Sequence, residues 1–165
     1  MRFIYTEAQI TKLTEACIAR MRQKTPHCTD APPRLTDLIP HTLTNSMEKE
    51  VIADINELGL CLHHSTSRGV SLWTAASMMA FRILEDTARR TVYGDFDIDD
   101  AKMSLHQVLE ELERVFTGDL VECLQELRQL RNEAMHGEAR FSRKRALEIV
   151  RISMFVVLML YSLET

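Results

Sequence analysis

Residues 131–136 of this 165-residue chain read R-N-E-A-M-H. An arginine, an amide and a histidine within one and a half helical turns can bind an anion and move a proton, because guanidinium is permanently charged and imidazole titrates near neutrality. The setting makes the arginine unusual. With Leu127 as origin and about 100° per residue, Leu120, Cys123, Leu124, Leu130 and Ala134 fall within about 60° of it. Arg131 falls at about +40°, inside that apolar stripe, and Arg128 flanks it at about +100°. A guanidinium there must be paired or must line a cavity, since left alone in a dry place it carries a severe desolvation cost. Gly137 suits the left-handed position after a helix end, which puts His136 in the last turn at the negative end of the helix. The residues alone fit a ligand site and a buried Arg–Glu pair with a capping histidine equally well.

Charge is distributed to match. The chain is −4 overall, but Arg128 to Arg151 holds seven Lys/Arg against three Glu, or +4, so the rest carries −8. A basic patch on an acidic body can hold a phosphate chain. The residues in it nearest the motif are Arg128, Arg140, Arg143, Lys144 and Arg145.

Other chemistry is harder to place. DFDID, residues 95–99, resembles the start of a calcium loop, but its sixth position is Asp100 instead of Gly and its twelfth is His106 instead of Glu. Acids at a helix start account for it better. CLHH, residues 61–64, sets its ligands too close together for tetrahedral zinc without distant partners. There is no Gly-rich phosphate loop and no G-x-S-x-G elbow. No metal and no cofactor is implied. Cys17, Cys28, Cys61 and Cys123 are widely and irregularly spaced, as expected for reduced thiols in a cytoplasmic protein. The N-terminus lacks the apolar core of a secretory signal. The longest apolar run, residues 152–163, is twelve residues, short of the roughly 20 needed to span a bilayer, so a buried core helix is expected.

Helices must position the motif. The four prolines fall within residues 25–40, which therefore read as a linker or extended arm. One helix precedes it, over 7–22, with Thr6 and Gln9 as a capping box. After it, Gly69, Gly94, Gly118 and Gly137 divide the chain into helix-length segments. These are expected at 46–64 (capped by Asn45 and Glu48, with Gly59 a candidate kink), 71–92, from 99 or 100 along the stripe Leu105, Val108, Leu109, Leu112, Val115 and Phe116, then 119–136 and 142–163. The helix over 71–92 is apolar nearly all round in its first half and is expected to be central. Glu85–Arg89 and Asp86–Arg90 are spaced to pair along it. Strand alternation is absent. The expectation is an all-α, up-and-down antiparallel helical bundle over 46–165, preceded by an N-terminal helix and Pro-rich arm over 1–45.

The R-N-E-A-M-H stretch, within L-x-x-L-R-N-x-x-x-H-G, resembles the Arg-polar-x-x-x-His signature of the HEPN superfamily. The resemblance extends to the helix carrying AFRILEDTARR, the amphipathic helix and short Gly-containing turn after it, and the long apolar last helix, over residues 46–163. It is strongest to HEPN-like domains found beside defence genes. At the second residue after the histidine this chain has Glu138, where some toxin-type members have tyrosine. The resemblance implies a helical homodimer acting as a metal-independent endoribonuclease on RNA, in defence or as a toxin. It implies Arg131, Asn132 and His136 as the catalytic set, with Arg128, Arg140, Arg143, Lys144 and Arg145 on the RNA backbone. An antitoxin or defence-system protein is a potential further partner, and no membrane is involved. RNA carries its own nucleophile, the 2′-OH, so histidine as acid or base and arginine on the phosphorane would suffice. The alternative is a non-catalytic protein- or nucleic-acid-interaction module, in which Arg131 pairs with a buried acid such as Glu85.

Overall fold

The computed structural model describes residues 2–23, 34–67, 71–93, 104–136 and 140–163. All regular structure among them is helical, apart from one isolated bridge between Phe3 and Leu163. Gly137, the DFDID stretch, Cys28 and three of the four prolines lie outside the described residues.

Helix α1 (Glu7–Met21) starts with the expected capping box. The Gln9 amide donates to Thr6 Oγ1 at 3.3 Å, and the Thr6 amide donates to Gln9 Oε1 at 2.9 Å. Two orphan donors are thereby satisfied. Its buried side, Ile10, Cys17, Ile18 and Met21, joins the same apolar core as the later helices. The chain before it is fastened to the other end of the molecule. The Ile4 amide donates to the Ser162 carbonyl at 2.7 Å and the Tyr5 amide to Ser162 Oγ at 3.0 Å. Residues 1–45 therefore share one core with the remainder in their described part.

The 3-10 turn after Arg34 (Leu35–Leu38) packs against α1 and α3. It buries Leu35, and Thr36 donates to Asn56 Oδ1 through its amide and is bonded to it through its hydroxyl, each at 3.2 Å. Four residues, His41–Thr44, form the short helix α2. Sequence periodicity does not reveal so short an element, and it displaces the expected start of the next helix. Asn45 closes α2, its amide donating to the His41 carbonyl at 2.9 Å, so it does not cap α3. Helix α3 (Lys49–Ser67) begins three residues later than expected and runs through Gly59. The glycine is there for space: a Cβ on it would lie 2.7 Å from Cγ and Cδ1 of Leu35.

Helix α4 (Trp73–Tyr93) is followed, within the described residues, by α5 (Leu105–Val115). Ser104 and Gln107 form a capping box there, which moves the helix start about five residues past the expected aspartates. Gly118, at φ 75°, reverses the chain into α6 (Asp119–His136) and accepts from the amides of Val121 and Glu122. That backbone conformation is open to glycine at little cost. Ser142 caps α7 (Arg143–Tyr161).

Consecutive helices from α3 to α7 are neighbours in space, and α4 and α7 form the largest interface. Helix α7 also packs on α1 and α6, and every residue from Ile152 to Leu160 is buried. The centre is thus shared between α4 and α7. Among the described residues no helix is long and apolar enough to cross a membrane.

One expected pair is rearranged. Arg89 does bond Glu85, at 2.8 Å, but the ion pair of Arg90 is with Glu48 at the start of α3. Tyr161 donates to the same carboxylate at 2.5 Å, joining α3, α4 and α7. Burial acts to raise the Glu48 pKa, but hydrogen bonds from Tyr161 and Arg90 outweigh it and hold the carboxyl below its ordinary range.

Candidate functional site

Helix α6 carries its polarity along its length. Asp119 and Glu122 stand in its positive first turn and His136 in its negative last turn. Leu120, Leu124, Leu127 and Leu130 are buried, as the periodicity requires, and α7 and α5 receive them. The helix stays regular to His136.

That regularity decides what can meet. Arg131 and His136, five residues apart, are separated by about 140° and about 7.5 Å of rise on an unbroken helix. They do not converge within one chain. Asn132 and His136, one turn apart, are both exposed and lie on one face with Arg128. Together with Gln125, Gln129 and Glu133 they line an open groove of about 540 Å³ along the outer side of α6. Arg131 lies beside this groove and is not part of its lining.

Arg131 is half-buried, so it is not enclosed in the dry stripe as expected. A long side chain can lay its methylenes on apolar surface and bring its head outward. Among the described residues no hydrogen bond or ion pair engages its guanidinium. The expected pairing with Glu85 does not form; Glu85 instead accepts through Oε1 from both Nε and Nη2 of Arg89.

The neighbouring arginines are in a different state. Arg128 donates through Nη1 to both oxygens of Glu113, at 3.0 and 3.1 Å. Its Nη2 lies 3.2 Å from His106 Nε2 and 3.6 Å from Glu110. Arg145 pairs with Glu133 at 3.0 Å and with Glu148 at 3.2 Å, which draws the first turn of α7 to the His136 end of the groove. Arg143 lies over the Trp73 ring, 5.9 Å from its centroid. Arg140 and Lys144 are exposed, without ion pairs among the described residues.

The sequence reading did not single out the groove's carboxamides Gln125 and Gln129 or its acid Glu133, although a helical wheel of α6 places them beside Asn132. His106, Glu110 and Glu113 had no signal at all, since they come from another helix.

Elsewhere, burial pushes the thiols of Cys17 and Cys123 up to about 11, so both stay protonated and unreactive at neutral pH. Cys61 bonds Met79 Sδ at 3.6 Å, and the rings of His63 and His64 meet edge to face at 5.8 Å. Among the described residues no three His, Cys, Asp or Glu side chains are grouped to hold a metal ion. Comparison of the chain with protein-family models, with curated proteins and with solved structures found no match.

Proposed function

We propose that this chain is a HEPN-like, metal-independent endoribonuclease whose site is completed by a second copy of itself. The observation that carries the reading is the state of Arg131. It is half-buried and has no carboxylate partner among the described residues, while Arg128 and Arg145 beside it are both tied to acids. A cation left without a counter-charge, preceding an exposed amide on a helix that ends in an exposed histidine, suits an incoming phosphodiester once a second copy brings its own histidine to it.

His136 accepts the proton of the 2′-OH as that oxygen attacks phosphorus. The bond from phosphorus to the 5′-oxygen breaks, and the 5′-oxygen takes a proton from water. The products carry a 2′,3′-cyclic phosphate and a 5′-OH. Arg131 holds the charge that builds on the phosphorane, and Asn132 orients the imidazole or a phosphate oxygen. Because Arg131 and His136 diverge on one helix, Arg131 of one copy works with His136 of the partner subunit, and a monomer is inactive. Arg140, Arg143 and Lys144 guide the RNA backbone, with Arg128 and Arg145 as further contacts. The setting we propose is cytoplasmic, in defence or as a toxin, with an antitoxin or defence-system protein as restraint.

The competing reading is a non-catalytic interaction module. The acids on Arg128 and Arg145 favour it, because they reduce the positive field that RNA would meet. Labelled single-stranded RNA incubated with the purified chain in EDTA separates the two. Cyclic-phosphate ends that appear with EDTA present, and fall about 10²-fold or more in His136→Ala, support the nuclease. Intact RNA, or cleavage that EDTA abolishes, refutes it.

A further inference from the structure

Arg128 stands midway along the α6 groove, yet both of its outer nitrogens are already taken. Nη1 serves two oxygens of Glu113, and Nη2 faces His106 and Glu110. His106 Nε2 is itself 3.3 Å from Glu110. All three partners belong to α5. Two carboxylates meet one guanidinium, so with His106 neutral the cluster carries a formal charge of −1. That is more acid than a simple staple between two helices needs. Arg145 on α7 is likewise divided between two acids, the groove residue Glu133 and Glu148.

We propose that α5 carries an internal stand-in for a phosphodiester. Glu113, backed by Glu110, occupies Arg128 until a single-stranded nucleic acid displaces it. The inference rests on the reading of the groove as a nucleic-acid site. Its chemistry is that of competing oxyanions: guanidinium binds carboxylate and phosphate oxygens in the same way. The displacement is feasible because the contact can be reached from solvent. The Arg128 side chain keeps 25% of its exposure, Glu113 keeps 17% and Glu110 keeps 42%, so an incoming anion meets the Glu110 side of the cluster first. Pairs of this kind are weak enough to exchange. In the resting chain the groove therefore discriminates against stray anions, and a ligand must bring several phosphates to open it. Glu110 and Glu113 act as gating residues, without touching the reacting atoms.

The test uses a fluorescently labelled oligodeoxythymidylate, which has no 2′-OH and so reports binding without cleavage. Glu113→Gln, nearly isosteric, is expected to tighten binding about two- to fivefold, the scale of one partly screened ion pair. It should also steepen the slope of log K against log salt by about 0.7, for one additional phosphate contact. Adding Arg128→Gln should remove both gains. Affinity and slope unchanged in Glu113→Gln with an intact melting transition overturn the proposal. If that variant does not fold, Glu110→Gln serves, with the same criterion. RNA cleavage, measured separately, keeps the two ideas apart. Cleavage by the parent chain with no change in DNA binding on Glu113→Gln sinks the gate and leaves the nuclease. Tighter DNA binding with no RNA cut does the reverse.

Discussion

Replacing Arg131 by glutamine separates a ligand-binding arginine from a structural one. Where an arginine closes a buried ion pair, removing it strands a carboxylate and costs about 3–5 kcal/mol. Nothing is stranded at position 131, because no described carboxylate contacts it and Glu85 is held by Arg89. The half-buried methylenes are largely kept by glutamine, so the change in stability should stay within about 1 kcal/mol. For a chain of this length that is a Tm shift of at most roughly 4 °C. Loss of a group that meets charge only in the transition state costs about 10²–10³-fold in rate. Thermal melting by circular dichroism and initial rates on labelled RNA give the two numbers from one preparation. A Tm fall beyond roughly 8 °C with cleavage unchanged would show that Arg131 is a structural cation and refute the reasoning.

Other consequences are open to measurement. Gly59→Ala would ordinarily gain about 1 kcal/mol inside a helix, but its Cβ would press on Leu35 at 2.7 Å. Overpacking of about 1–3 kcal/mol should win, so Tm should fall. In a Leu35→Ala background the same change should become neutral or stabilising, and a rise in Tm in the parent chain would contradict the packing. Asp86 is a site where charge is unwelcome: burial raises its carboxyl pKa despite the opposing pull of Arg82 and Arg90. Its folded form thus holds the proton more tightly than the unfolded chain. The resulting penalty is absent below the ordinary carboxylate value of about 4, grows as pH rises through the raised value, and is complete at pH 7. Asp86→Asn should raise Tm at pH 7 and lose that advantage near pH 3, and a lower Tm at pH 7 would count against it.

Sequence pattern carried the long helices because their starts, stops and periods are local. Helix α6 falls where acids in its first turn, Gly118 before it and the leucine spacing place it. What escaped is tertiary. The helix α2 is too short to show a period, and its presence turned Asn45 from the cap of one helix into the end of another. Spacing paired Arg90 with Asp86, but in the folded chain Arg90 pairs with Glu48, which also accepts from Tyr161. The candidate site shows the same divide. A wheel of α6 orders Arg128, Asn132 and His136 on one face, and it sets Arg131 apart from His136. It does not reveal that α5 supplies the acids on Arg128, nor that Arg131 is only half-buried.

The central claim is that Arg131 and His136 act across two copies of the chain. Arg131→Gln and His136→Ala proteins, each inactive alone, are to be mixed under conditions that exchange subunits, and RNA cleavage in EDTA recorded. The account predicts recovery to about a quarter of parental activity, since half of the dimers become mixed and each carries one intact pair. Mixtures as inactive as their components, although exchange is demonstrated by mass, would contradict it.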